Sequence, residues 1–219
     1  MGDLSFECLG AQAVAHAAVP TLTLRLRITE GTGLRVGAIA LRCQIQIQPA
    51  RRRYSAVEGS RLKDLFGEPS RWAETLNPLH LTTLTVMVPT FSDSIEVDLP
   101  IPCSYDLEVA GSRYFASLDD GHVPLLLLFS GTVFHQGPAG LLIEQVPWHK
   151  ESAYRLPVAI WRETMDRYFP DSGWLRLRRD TLDALAEYKS RRALATWNDT
   201  VVALLAEIPA EADVTSERI

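Results

Sequence analysis

The run Leu125, Leu126, Leu127, Leu128, Phe129 sets five large apolar side chains in a row with no charge among them. It limits what the surrounding chain can become. A helix would spread these side chains around its circumference, whereas a strand sends alternate ones to opposite faces. The sequel argues for the strand: Gly131 weakens a helix, and Thr132, Val133 and Phe134 are strand formers. The run is also far short of the roughly 20 apolar residues that span a bilayer, so no membrane span is expected. As a strand it puts Leu125, Leu127 and Phe129 on one side and Leu126 and Leu128 on the other. A strand apolar on both parities is predicted to lie centrally in a sheet with cover on both faces, supplied by a helical layer or a second subunit.

Alternation elsewhere supplies the rest of that sheet. In TLTLRLRI, Leu22, Leu24, Leu26 and Ile28 face one way and Thr21, Thr23, Arg25 and Arg27 the other. After the EGTG turn, AIALRCQIQIQ repeats the pattern with Ile39, Leu41, Cys43, Ile45 and Ile47 inward, and the two segments read as an antiparallel hairpin. Short helical turns are predicted around Val57, Leu62, Leu65 and Phe66, ended by Gly67 and Pro69. Further strands are predicted over LHLTTLTVMVP, over SIEVDLPIP as an edge or irregular strand because of Pro100 and Pro102, and over YDLEVAGSRYF. DDGH is a turn signal, and GLLIEQVPW pairs with the leucine run.

Beyond Trp148 the period changes to that of helices. LPVAIWRETMDRYF carries an apolar stripe through Val158, Trp161, Met165 and Phe169, and PDSG stops it. RDTLDALAEYKSRRAL is a second helix with Asp180 as N-cap. TWNDTVVALLAEI is a third, opened by a capping box of Thr196 and Asp199. The expected architecture is α+β: a mostly antiparallel β-sheet over residues 1–150, then a layer of about three helices over 151–208, in a single domain with a frayed tail at 209–219.

The totals exclude some functions. A net charge of −5 disfavours broad binding to nucleic acid. Three dispersed cysteines form no CxxC pair or disulfide framework, which suits a reducing compartment. Asp3 and Glu7 stand where a secretory signal would carry basic residues, so a cytoplasmic protein is expected.

Signals for chemistry are weak. His80, His122, His135 and His149 lack close metal-ligand spacing, and no metal or cofactor is expected. Cys43 and Cys103 share the parity of apolar neighbours and read as buried thiols. Ser130 lacks the glycine two residues before it that a nucleophile elbow requires, and no Walker loop or GxGxxG turn is present. Asp119 and Asp120 fall in the turn. The one conspicuous cluster is Arg51, Arg52 and Arg53 before Tyr54, a set able to grip a carboxylate, a phosphate or an acidic partner face; the plainer reading is a solvated strand end. Trp72 joins these arginines as a candidate binding residue. The other tryptophans read mostly as core or interlayer anchors.

Long stretches carry a family resemblance. IQPARRRY, DLFGEPSRW, DLPIPCSYDLEV, GHVPLLLLFSGTVF, YRLPVAIWRETMDRYFP and WLRLRRDTLDALAEYK resemble an uncharacterised actinobacterial domain-of-unknown-function family, often encoded among genes for high-affinity nickel-iron hydrogenases. That resemblance implies an accessory role in maturation, assembly or electron transfer. DLSFE, PTLTLRLRI and AIALRCQIQI are similar to the opening of the export chaperone SecB, which implies a SecB-like sheet, client binding and oligomer formation; the segment from Arg51 to His122 departs from that pattern. The leading expectation is a non-enzymatic, chaperone-like binding protein that contacts a protein partner through apolar surface. The rivals are an enzyme assembled from His80, His149, Asp119 and Arg52, and a structural subunit of a homo-oligomer.

Overall fold

The computed structural model describes residues 3–103, 111, 113–137, 140–170 and 177–207. Two compact units divide the chain, Met1–Ser172 and Gly173–Ile219. The fold is α+β, and antiparallel strands dominate the first unit. Its strands are β1 (Leu4–Ala13), β2 (Thr21–Glu30), β3 (Val36–Ile47), β4 (Leu79–Val88), β5 (Ser94–Pro102), β6 (His122–Gly137), β7 (Gly140–Gln145) and β8 (Glu151–Pro157). Short helices α1 (Ala56–Arg61), α2 (Lys63–Phe66) and α3 (Trp72–Thr75) separate β3 from β4; α4 (Arg113–Ala116) precedes β6, and α5 (Val158–Tyr168) follows β8.

The strands form two sheets. One has the order β1-β2-β5; the other has the order β4-β3-β6-β7, with β8 also paired to β6. The expected hairpin of β2 and β3 therefore does not form. β2 pairs with β1 and β5, and β3 pairs with β4 and β6. Each of these two strands has one strictly apolar face, and both faces are satisfied by turning toward each other across a common core rather than lying side by side. Leu22, Leu24, Leu26 and Ile28 from one sheet, and Ile39, Leu41, Cys43, Ile45 and Ile47 from the other, are all fully buried. Phe6 of β1 stacks on Phe129 of β6 with ring centroids 4.3 Å apart, which ties the sheets directly.

The leucine run is the middle of β6, the strand with the most neighbours in its sheet. Leu125, Leu127 and Phe129 are buried, as the inward parity requires. Leu126 and Leu128 are only half-buried, so the expectation of full cover on both faces fails. Their flanks are Gln46 and Gln44 of β3 and Ala153 and Glu151 of β8, cross-strand neighbours that shield them from the side without roofing them. Helix α5 packs against β1, β2 and β8. Its Trp161 stacks on Phe115 of α4 at 4.2 Å. β7 pairs with the second half of β6, as GLLIEQ suggested, and among the described residues β5 stands at the edge of its sheet, in keeping with the edge or irregular strand its prolines suggested.

Other corrections are local. Residues 151–157 are strand β8, not helix: Ser152, Tyr154 and Leu156 alternate with Glu151, Ala153 and Arg155. Arg113–Ala116 is helical where a strand was expected, and 105–110 of that expected strand lie outside the described residues. The PDSG stop and the tail at 209–219 lie largely or wholly outside them too.

The second unit contains α6 (Arg179–Arg191) and α7 (Trp197–Ala206). The Thr196–Asp199 capping box is present in both halves. Asp180, by contrast, is not the N-cap of α6; Arg178 occupies that position, and Asp180 sits in the first turn, where its charge complements the helix N-terminus. Tyr188 Oη donates to Glu207 Oε1 at 2.9 Å, Arg192 pairs with the same carboxylate, and Lys189 lies 5.9 Å over the Trp197 ring.

Candidate functional site

The end of β3, the start of β6 and the end of β8 meet at one end of their sheet, because β6 runs antiparallel to both neighbours. The backbone N–H of Gln48 donates to Pro124 O at 2.8 Å and holds the chain leaving β3 beside the start of β6. A 3-10 turn at Pro49–Arg51 follows. This geometry carries the arginine triplet to a pocket of about 430 Å³ lined by Arg51, Arg52, Arg53, Gly121, His122 and Arg155.

Arg52 is built into the wall. Its side chain is 9% exposed, and Nη2 lies 2.5 Å from Glu58 Oε1. The same guanidinium donates to Asp120 O at 2.7 Å and His122 O at 3.1 Å. Glu58 is committed in turn: Oε1 also accepts from the Asp119 N–H, and Oε2 accepts from the Ser55 N–H within the capping box that opens α1. One ion pair thus fastens α1 and the 119–122 loop together. Gly121 makes that loop possible with φ +86°, a conformation that side chains resist. Nε of Arg52 is buried and makes no hydrogen bond among the described residues.

Arg51, Arg53 and Arg155 differ from Arg52. All are exposed, and among the described residues none has a carboxylate partner. Tyr54 packs inward from the triplet. Its hydroxyl meets Pro49 O at 2.9 Å and Tyr114 Oη at 2.8 Å. Burial raises the Tyr54 hydroxyl above its ordinary value and raises the more deeply placed Tyr114 further. Trp72 touches the Tyr54 ring edge-on at 5.3 Å and donates from Nε1 to Gly67 O. It stands behind the arginine segment and does not line the pocket.

The residues named for an enzyme are placed separately. Arg52 and Asp119 are neighbours through Glu58, and Asp119 pairs with Arg61 at 2.6 Å. His80, exposed on β4, meets Thr83 Oγ1, and His149 lies in the exposed turn before β8 beside Trp148. Among the described residues, no hydrogen bond or ion pair joins either histidine to Arg52 or Asp119. The described residues also hold no cluster of metal-ligating side chains. The cysteines are buried thiols. Burial pushes Cys43 up to about 12 and Cys8 and Cys103 up to about 11, so all three stay protonated near neutrality.

The second feature is apolar. In β7, Leu141, Leu142 and Ile143 are 65%, 48% and 55% exposed, and Trp148 in the following turn is 91% exposed. Among the described residues no strand pairs with the outer side of β7. Trp197, Val202 and Leu205 of α7 are exposed as well. Trp148 and Trp197 are therefore not core anchors; Trp161 is, and Trp174 lies outside the described residues.

Sequence reasoning missed His122 and Arg155 as members of the pocket, and Glu58 as the carboxylate that fixes Arg52 in its wall. Ser55 followed three residues later by Glu58 is a legible capping signature. Nothing local marks Arg155, which the β6–β8 pairing alone brings to the arginine triplet.

Comparison with known proteins adds a family. Residues 1–213 match the model described as Family of unknown function (DUF6084). The chain belongs to this family. No curated protein matches it. Among solved structures, similarity extends to β-glucosidase 3B from Thermotoga neapolitana at 13% identity and TM-score 0.28, over 70% of this chain and 17% of that one. A β-glucosidase from Kluyveromyces marxianus is 8% identical at TM-score 0.26, over 70% and 15%. A putative late embryogenesis abundant protein is 10% identical at TM-score 0.32, over 72% of each chain. The DUF6084 chain thus spans less than a fifth of either glucosidase. Among its described residues, no helix is long and apolar enough to cross a membrane.

Proposed function

We propose that this protein is a non-enzymatic, chaperone-like binding protein that serves assembly or maturation of a nickel-iron hydrogenase or a related redox complex. The observation that carries the binding reading is β7: three consecutive apolar side chains lie open on an edge of the leucine-rich sheet that no described strand pairs with. Such an edge offers backbone donors and acceptors together with apolar contact, the combination by which a partner strand adds to a sheet. SecB-like client binding would use the same physics. The hydrogenase setting rests on the sequence resemblance, and the three free, buried cysteines suit the cytoplasm.

Deleting the gene in a host that makes such a hydrogenase tests the setting. Hydrogenase activity and subunit processing are expected to fall; if both stay at the parental level, the assembly role is excluded. The same open edge also favours a second reading, a homo-oligomer sealed through β7. Light scattering decides it, since a strict monomer at micromolar concentration removes that reading.

A further inference from the structure

We infer that the pocket between the arginine triplet and β8 is a binding site for a multiply charged phosphate group, free or carried on a small ester. This inference does not rest on the proposed assembly role. In a chain of net charge −5, four arginines and His122 converge on one opening. Glu58 offsets the charge of Arg52, and among the described residues Arg51, Arg53 and Arg155 have no carboxylate partner. A single carboxylate would answer one of three open cations, whereas a phosphate monoester or diphosphate matches two or three and offers oxygens to planar guanidinium forks.

The wall is prepared for such a guest. Arg52 is fixed by Glu58 and by the carbonyls of Asp120 and His122, so it need not be ordered on binding. Among the described residues its buried Nε has no hydrogen-bond partner. The exposed arginines come from two separate elements, the segment after β3 and strand β8, and they flank the opening at positions the sheet register sets. A volume of about 430 Å³ admits a diphosphate with part of its ester.

Titration calorimetry on the full chain tests the site, with pyrophosphate, orthophosphate and citrate as probes at low salt. Pyrophosphate is expected to bind, orthophosphate more weakly, and citrate more weakly than pyrophosphate despite its comparable charge. Affinity should fall as salt rises. Arg53→Ala and Arg155→Ala, both exposed and expected to keep the wild-type Tm, should each weaken pyrophosphate by about tenfold or more. A diphosphate ester that binds more tightly than pyrophosphate places the ester within the pocket; equal affinity makes the free anion sufficient. No binding of either phosphate, citrate bound as tightly as pyrophosphate, or affinities that both substitutions leave unchanged would overturn the inference. None of these results bears on hydrogenase processing, so the two proposals fail separately.

Discussion

Glu58 concentrates several jobs in one carboxylate: it pairs with Arg52, caps α1 through Ser55 and anchors the Asp119 N–H. Removing it leaves a nearly buried guanidinium without its counter-charge. Glu58→Ala should therefore cost about 3–5 kcal/mol in urea unfolding, and the double variant with Arg52→Met should cost less than the two single losses added together. Gly131 is a second sensitive position. Its φ is +144°, and an added Cβ would meet Ala40 O at 2.1 Å, inside the β3–β6 ladder. Gly131→Ala should lose at least about 3 kcal/mol by the same measurement. Glu30 carries the pH dependence. Burial alone would raise its carboxyl, but hydrogen bonds from Thr32, Asp3 and Leu34 outweigh burial and hold it below its ordinary value. Its contribution is complete above the unfolded carboxyl value of about 4.3 and is lost as pH falls through the lower folded value. The urea midpoint should drop on acidification below about pH 4, and Glu30→Gln should flatten that drop.

At the scale of elements, β6 shows what a leucine run does when only one face is roofed. Leu127 is fully buried between the sheets, so Leu127→Ala should cost about 2–5 kcal/mol, whereas Leu126→Ala on the half-covered face should cost distinctly less. Equal losses at the two positions would contradict the register. The strand itself was legible, because Gly131 and the β-branched residues after it oppose a helix. Parity was legible too: every inward residue read in β2 and β3 is buried. What alternation cannot specify is the neighbour. The apolar faces of β2 and β3 look alike whether the strands lie in one sheet or oppose each other across two, and only the actual pairings with β5 and β4 decide. β8 was overlooked although Ser152, Tyr154 and Leu156 alternate, since the apolar stripe of α5 begins immediately after it.

For the whole molecule, the arginine triplet was visible in the sequence but its division of labour was not. Arg52 became a structural member because Glu58 and the 119–122 loop reach it through tertiary packing, and Arg155 joined from more than a hundred residues away. The open edge of β7 was equally hidden: GLLIEQ reads as a partner of the leucine run, and nothing in it says that no other described strand joins its far side. That edge is where the binding account stands or falls. The most direct measurement is hydrogenase subunit processing in a deletion strain complemented with either the wild-type gene or a Leu141→Ser, Leu142→Ser, Ile143→Ser variant shown to match the wild type in Tm and abundance. Processing with the variant is predicted to fall to the level of the deletion. Processing restored as fully by the variant as by the wild type would contradict partner binding through this edge.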